Sequence, residues 1–352
     1  MKKTAAIYPY QYNLYHMFRY QDEVPYDMKV PISRKGFSLD GRDAKPDGTS
    51  GIIVNSNFTE GIKDVDTVIF HSSDADAIDK IEIAMELGKN IVLLKPLEQK
   101  VLVQLQKKCE DRNLELHTAF IETEQFKDTM ERELFNMEVP VILVCGMADT
   151  TNKFDIQLSI RHYMKKSGYK ISQISSKRYG TFYGMHNFPV YMYDANPEYE
   201  KILYFNHYIK QIEIKEKPDV IIIGVPGGII PLDRKFNNQF SWLMYLISNA
   251  VSFDTAIFSM TFHSYEENFI TYMNNFCKYR YGFQISQFHL SDIYHDLTDN
   301  GNMNLKQYMR VTAAKYKEEY EKYSGQYCNI RDEKSAEKLT LDIIDELSNN
   351  IS

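Results

Sequence analysis

The sequence contains few cysteines, and their spacing excludes several classes of protein. There are four in 352 residues, Cys109, Cys145, Cys277 and Cys328, and no two of them form a CxxC pair. A disulfide framework or a structural zinc site needs several closely spaced cysteines, so we interpret these four as reduced thiols. Reduced thiols are typical of the cytosol, and we therefore expect a cytoplasmic protein.

Long apolar runs and a strong excess of one charge are also missing. The longest apolar stretches have the size of a strand, well short of the roughly 18 residues that a membrane helix needs. The first residues lack the apolar segment of a signal peptide. The 41 basic and 48 acidic residues give a formal charge of −7, without a basic stripe that would neutralise nucleic-acid phosphates. We expect neither a membrane nor a nucleic acid among the partners.

The common catalytic signatures are absent as well. The sequence has no HExxH and no GxSxG motif. Tyr8-Pro9-Tyr10 follows the first predicted strand, where a dinucleotide-binding fold carries glycines. Asp292, His295 and His289 are close in sequence and could bind a metal, but a histidine is more often a packed or surface residue, and we predict no metal site.

What is present is an alternation of short apolar runs with helical patterns, which is typical of parallel βαβ units. The predicted fold class is α/β, with a Rossmann-like N-terminal domain over 1–121 and a P-loop-like α/β domain with a parallel sheet over 139–352. A charged segment, 122–138, is predicted to be a connecting helix. The predicted strands are 4–8, 51–55, 67–71, 90–95, 114–119, 139–146, 169–175, 219–224, 255–262, 283–290 and, at an edge, 305–312. The predicted helices are 74–87, 97–112, 154–166, 198–216, 237–251, 266–281 and 333–347.

The most informative junction is the strand, loop and helix from Val139 to Lys166. In a P-loop, backbone N–H groups and a helix N-terminus cradle phosphates within the pattern G-x-x-x-x-G-K-[ST]. Here the chain reads Gly146-Met147-Ala148-Asp149-Thr150-Thr151-Asn152-Lys153-Phe154. The lysine stands in the right place, Asn152 replaces the second glycine and Phe154 replaces the hydroxyl that holds the metal. The candidate phosphate-binding residues are Asp149, Thr150, Thr151, Asn152 and Lys153; the alternative is a plain turn with a surface lysine.

A second glycine-rich segment, Gly224-Val225-Pro226-Gly227-Gly228, ends the most apolar predicted strand. It resembles the E-G-A-G-G segment of the dethiobiotin synthetase and cobyrinate amidase group of P-loop enzymes. The resemblance implies binding of ATP or another nucleotide, with Gly227 and Gly228 shaping the pocket. In that group a glutamate precedes the first glycine and serves the metal and phosphate machinery, whereas Ile223 stands here. Both metal-handling positions are therefore substituted, and the participation of Mg²⁺ stays open.

Polar residues after the next strand are candidates for binding the substrate. Ser176, Lys177 and Arg178 follow a predicted strand end and could hold an anionic or peptide ligand, with His186 on the loop beyond. That loop is either a lid or a solvent-facing crossover. Asn206 and His207, on the following helix, could face the same cleft.

The whole layout resembles a family of uncharacterised bacterial proteins that includes relatives of D-glutamate N-acetyltransferase. Segments 153–158, 168–174, 184–189 and 219–228 together look like the accessory proteins of clostridial peptide maturation systems. Those proteins accompany a radical-SAM enzyme and a small cysteine-rich precursor peptide. The resemblance implies an accessory factor in the maturation of a ribosomally synthesised peptide, with those two molecules as partners.

Two functions from different classes remain open. One is an accessory factor that binds a nucleotide or phosphorylated ligand in a degenerate P-loop; the other is a non-catalytic scaffold that presents the precursor peptide to the radical-SAM maturase. As an enzyme, the chain would be an ATP-dependent ligase that forms amides, or a transferase. By analogy with related P-loop domains, a homodimer is expected.

Overall fold

The computed structural model describes residues 2–120, 132–232, 234, 237–266, 268–296, 307–322 and 327–350. The fold is α/β, as predicted, with parallel sheets flanked by helices. The chain divides into two compact units, one of Met1–Ile121 with Arg178–Asn187 and one of Glu122–Lys177 with Phe188–Ser352. The assignment of residues 178–187 to the first unit is not predicted from the sequence.

The connecting segment differs from its prediction where it is described. Residues 122–131 lie outside the described residues, and 132–137 carry no helix. Instead, the backbone of Phe135 exchanges hydrogen bonds of 2.8 Å with the Asn206 side chain in both directions. Glu213 accepts from the backbone N–H groups of Glu138 and Val139 at 2.7 and 3.0 Å. These side chains thus take hydrogen bonds of this segment that a helix would form internally.

The first unit contains a parallel sheet with the strand order β2-β1-β3-β4-β5. Helix α3 begins after Asp74, whose side chain accepts from the N–H of Ala77, and the chain turns away at Gly88 with φ +72. The strands are β1 (Thr4–Tyr8), β2 (Asp27–Pro31), β3 (Thr67–Phe70), β4 (Asn90–Leu93) and β5 (Leu116–Thr118), and the helices are α1 (His16–Arg19), α2 (Phe58–Gly61), α3 (Ala75–Glu86) and α4 (Gln99–Glu110).

One strand of this unit is predicted wrongly and another is missed. The segment 51–55 forms only isolated bridges, at Ile53 and Asn55. Its backbone pairs inside a long loop, where Val54 N donates to Arg42 O and Ala44 N donates to the carbonyl of Ile52. An apolar run therefore lies in a loop. The strand β2, whose sequence mixes charged and apolar residues, forms an edge of the sheet.

The second unit contains the larger parallel sheet, with the order β14-β11-β10-β6-β9-β7. The predicted edge strand near 305–312 instead pairs antiparallel with the strand after β11, in a separate hairpin. The remaining strands in chain order are β6 (Val141–Gly146), β7 (Ile171–Ser175), β8 (His186–Asn187, in the first unit), β9 (Val220–Gly224), β10 (Thr255–Met260), β11 (Gln287–Leu290), β12 (Ile293–Asp296), β13 (Gln307–Arg310) and β14 (Tyr327–Cys328). The remaining helices are α5 (Lys153–Lys166), α6 (Glu198–Glu216), α7 (Trp242–Ala250), α8 (Phe269–Tyr281), α9 (Ala313–Lys322) and α10 (Glu333–Asn350).

Helices cover both faces of the larger sheet. Along β6, Ile142 and Val144 face a core shared with α5 and α10, while Leu143 and Cys145 face the opposite core with α6, α7 and α8. This two-residue alternation is the expected side-chain period of a strand. Because the strands are parallel, the loops after β6, β9, β10, β11 and β14 leave the same edge of the sheet, where open α/β folds bind their ligands.

Candidate functional site

The loop between β6 and α5 is fastened to the neighbouring strand β10. Met147 N donates to Ser259 O at 2.9 Å, and Ser259 Oγ donates to the carbonyl of Thr151. A Cβ on Gly146 would lie 2.6 Å from both Ser259 O and Thr151 Oγ1, so only glycine fits at the end of β6. The predicted strand–loop–helix is thus a rigidly held turn at the ligand edge of the sheet.

Helix α5 begins with an N-terminus that its preceding residue does not cap. Asn152 has φ 63, a left-handed conformation that asparagine adopts more readily than most residues, and its side chain makes no capping hydrogen bond. The first N–H groups of a helix have no partner within the helix. The N-terminus of this 14-residue helix therefore carries a partial positive charge that favours an anion.

Lys153, the first residue of α5, is buried, with 3% of its surface exposed. Its Nζ donates to Ala148 O at 2.7 Å and to the carbonyl of Gly227. Burial lowers the pKa of this amine to about 8, and the nearby Asp149 opposes the shift while Lys177 adds to it. The ammonium is thus held between two neutral carbonyl groups in a poorly solvated place.

The glycine-rich loop after β9 closes on the β6–α5 loop. A Cβ on Gly228 would lie 2.3 Å from Met147 O, so the two backbones touch. Asn238 Nδ2 donates to Met147 O at 2.9 Å and also to the carbonyl of Ile230. Lys153 and Asn238 therefore bind the two loops together through carbonyl oxygens.

The other predicted phosphate-binding residues take different places in this loop. Asp149 is exposed and its Oδ1 lies 3.8 Å from Lys177 Nζ, and Thr150 is half-buried. Thr151 is fully buried, and its Oγ1 donates to Ala148 O at 3.1 Å. Thr151 thus shapes the loop, while Asp149 and Lys177 form its exposed rim.

The predicted substrate-binding residues are divided between the units. Ser176 N donates to Gln157 Oε1 at 2.9 Å at the end of β7, which places Ser176 and Lys177 at the same edge as Lys153. Arg178 and His186 belong to the first unit. Asn206 and His207 contact the backbone of Phe135 and Glu133, so the expectation that they face the ligand cleft is wrong.

The positions that handle metal in P-loop enzymes are filled by apolar side chains here. Phe154 and Ile223 are buried, with exposures of 4% and 0%. Within the described ranges, no three His, Cys, Asp or Glu residues come close enough to hold a metal ion. The side chains of Phe154 and Ile223 therefore offer no oxygen ligand to Mg²⁺.

A charged cluster next to the loop was missed by sequence reasoning, which considered Asp292 only as a metal ligand. Asp292 is 4% exposed and accepts from Arg331 Nη2 at 2.8 Å and from Arg310 Nη1. His289 Nδ1 bonds to Cys328 O at 2.9 Å, and burial lowers the pKa of His289 to about 4. The side chain of His295 lies outside the described residues. No local signal reveals this cluster, because its arginines come from distant segments.

Solved structures give matches to this chain, whereas family models and curated proteins give none. Among solved structures, it is similar to a DUF1611 family protein from Anabaena variabilis, at a TM-score of 0.54 and 12% identity, over 82% of this chain and 88% of that chain. Chloroplast FtsY from Physcomitrella patens matches at a TM-score of 0.27 and 15% identity, over 60% of this chain and 64% of that chain. The first likeness shows a shared α/β fold across most of the sequence.

No helix in the described part of the chain is long and apolar enough to cross a membrane.

Proposed function

We propose that the second unit binds a nucleotide or another phosphorylated small molecule at the β6–α5 loop, without a bridging metal ion. The observation that supports this proposal is the buried Lys153 ammonium at the uncapped N-terminus of α5. A phosphate oxygen is a stronger acceptor for the ammonium than a neutral carbonyl, because its negative charge adds a Coulombic attraction. A ligand phosphate would therefore replace Gly227 O as the partner of Lys153.

The same residues argue against ordinary phosphoryl transfer. Such catalysis depends on metal ions that neutralise the charge of the transferred group. With Phe154 and Ile223 at the two metal-handling positions, the expected activity is binding, with hydrolysis slow or absent. An amide-forming or transfer reaction that uses the bound ligand is the enzymatic form of this proposal.

The biological setting rests on sequence resemblance alone. We place the binding site in an accessory factor for the maturation of a ribosomally made peptide, with a cysteine-rich precursor and a radical-SAM enzyme as partners. The rival is a scaffold that presents the precursor without binding a nucleotide.

A thermal-shift titration of the full chain with ATP, ADP and GTP, with Mg²⁺ and with EDTA, tests the proposal. A ligand at about 100 times its dissociation constant adds roughly 2.7 kcal/mol of stability. We expect a nucleotide to raise the melting temperature of the wild type in EDTA as well as in Mg²⁺. The rise should be lost in Lys153→Met and kept in Lys166→Met, which removes an exposed lysine at the other end of α5. No shift with any nucleotide would favour the scaffold, for which the precursor peptide should change the elution of the chain in size-exclusion chromatography.

A further inference from the structure

Two arginines meet at one buried carboxylate beside the N-terminus of α5. Asp292 follows β11, Arg331 follows β14 and Arg310 ends β13. Asp292 accepts from Nη2 of Arg331 at 2.8 Å and from Nη1 of Arg310. One carboxylate thus orients two guanidinium groups at the edge of the sheet from which the β6–α5 loop also leaves.

Asn152 connects this cluster to the loop. In the amide orientation that satisfies both of its polar atoms, its oxygen accepts from Arg331 Nη2 at 3.0 Å. Its nitrogen then donates to Ser291 Oγ and faces Asp292 Oδ1 at 3.3 Å. Since Asn152 directly precedes Lys153, the arginine pair lies next to the residue that opens α5.

Arg331 has donors that these contacts do not use. Both of its hydrogen bonds to Asp292 and Asn152 come from Nη2. Its Nε is buried and has no acceptor among the described residues. A buried donor without a partner is destabilising, and a guanidinium N–H forms a charge-assisted hydrogen bond with a carboxylate or phosphate oxygen.

We propose that Arg331 and Arg310 form an oxyanion subsite that binds a carboxylate or phosphate group of a small molecule, separate from the contact that Lys153 makes. Asp292 and Asn152 act as positioning residues, because their contacts with Nη2 hold the Arg331 side chain in place and leave its Nε–H to the ligand. The subsite stands on the arginine geometry and does not require that the β6–α5 loop binds a phosphate.

An NMR titration tests the subsite. The full-length chain is labelled with ¹⁵N-arginine, and its side-chain Nε–H signals are followed while sodium acetate or, separately, inorganic phosphate is added. Arg331→Lys assigns the signal of Arg331, and the exposed Arg112 reports general salt effects. We expect saturable shifts of the Arg331 and Arg310 signals with at least one anion, and the stronger anion identifies the group that the subsite prefers. In Arg331→Lys, the affinity read from the Arg310 signal should fall about tenfold or more.

Lys153→Met separates this result from the proposed function. The variant should keep the arginine shifts even though it loses nucleotide binding, so the failure of either proposal is visible without the other. The subsite would be overturned if, in the wild-type chain at high millimolar acetate and phosphate, the Arg331 and Arg310 signals shifted no more than the Arg112 signal.

Discussion

At Lys153, burial and hydrogen bonding act on the amine in opposite directions. Removal from water disfavours the ammonium and lowers its pKa to about 8, from an ordinary value of 10.5. The carbonyl oxygens of Ala148 and Gly227 stabilise the protonated form by accepting from it. The amine is therefore mostly charged at pH 7 and becomes mostly neutral above about pH 8.

Phosphate binding should therefore weaken in mild alkali. An anionic ligand needs the ammonium form, and above about pH 8 each further pH unit removes about nine-tenths of it. We expect the affinity for pyrophosphate to fall about tenfold for each unit between pH 8.5 and 10. Calorimetric titrations across this range measure it, with Lys153→Met as the control, whose weak binding reports the effect of the deprotonation of pyrophosphate itself. A wild-type affinity that stays constant to pH 10 contradicts this role for Lys153.

The same pKa predicts a pH-dependent difference in stability. Between about pH 8 and 10.5 the lysine is neutral in the folded chain and protonated in the unfolded chain. The unfolded state then binds more protons, so stability rises with pH in this window, by up to about 1.4 kcal/mol per unit. The free energy of unfolding of the wild type relative to Lys153→Met, from urea titrations, should increase from pH 8 to 10. A decrease would show that burial does not lower this pKa.

Only some residues of the candidate site can be predicted from the sequence. Lys153 and Asn152 are predicted because the strand, the loop and the helix that hold them are contiguous. Asn238 contacts the carbonyl of Met147 from 91 residues away, and Ser259 reaches Thr151 from 108 residues away. Such contacts depend on the order of strands in the sheet, which periodicity does not give.

At the scale of elements, the close contact between α5 and β9 depends on a glycine. A Cβ on Gly224 would lie within 2.2–2.4 Å of the side-chain amide of Gln157. Gln157 is fully buried and donates to Ile174 O at 2.8 Å, so it cannot easily move. The end of β9 and helix α5 are thus fixed against each other at Gly224 and Gln157.

Gly224→Ala should destabilise the chain by about 1–3 kcal/mol through overpacking. Denaturant unfolding of four proteins, the wild type, Gly224→Ala, Gln157→Ala and the double variant, measures the coupling between the two positions. With Gln157 already shortened, we expect the added alanine to cost much less than it does alone. Equal costs in both backgrounds would mean that the clash with Gln157 is not the cause.

The turn before α7 has an unusual backbone. Asn238, Gln239, Phe240 and Ser241 have φ values of 48, 53, 55 and 61, all in the left-handed region. Each such residue costs roughly 1–2 kcal/mol. The turn places the Asn238 amide on the carbonyl oxygens of Met147 and Ile230, so local strain accompanies the contact between the loops after β6 and β9.

Phe240→Gly should relieve part of this strain. Phe240 is 68% exposed, so its removal loses little buried surface. Glycine also makes the unfolded chain more flexible, and after subtracting this cost the net gain in unfolding free energy should be roughly 0.5 kcal/mol. The matched control is Tyr272→Gly, an exposed aromatic inside α8, which should lose about 1 kcal/mol. Thermal or urea unfolding measures the stability of both variants. If Phe240→Gly lost as much unfolding free energy as the control, the left-handed conformation of this turn would be contradicted.

At the scale of the whole molecule, the sequence predicts two α/β series because alternating strands and helices repeat on both sides of a charged segment. The α/β class and most elements, such as α6 over Glu198–Glu216, follow from this periodicity. The assignment of Arg178–Asn187 to the first unit does not, because it depends on contacts such as the bond from Thr181 Oγ1 to Ala119 O. That assignment is also why two predicted substrate-binding residues do not belong to the unit that carries Lys153.

Calorimetric titration of the full chain with pyrophosphate at pH 7 in EDTA tests the central claim, metal-independent phosphate binding at Lys153. The account predicts saturable binding to the wild type and to Lys166→Met, and a loss of at least about tenfold in Lys153→Met, as expected for a hydrogen bond to a charged group. Binding that appears only with Mg²⁺, or that is unchanged in Lys153→Met, would contradict it.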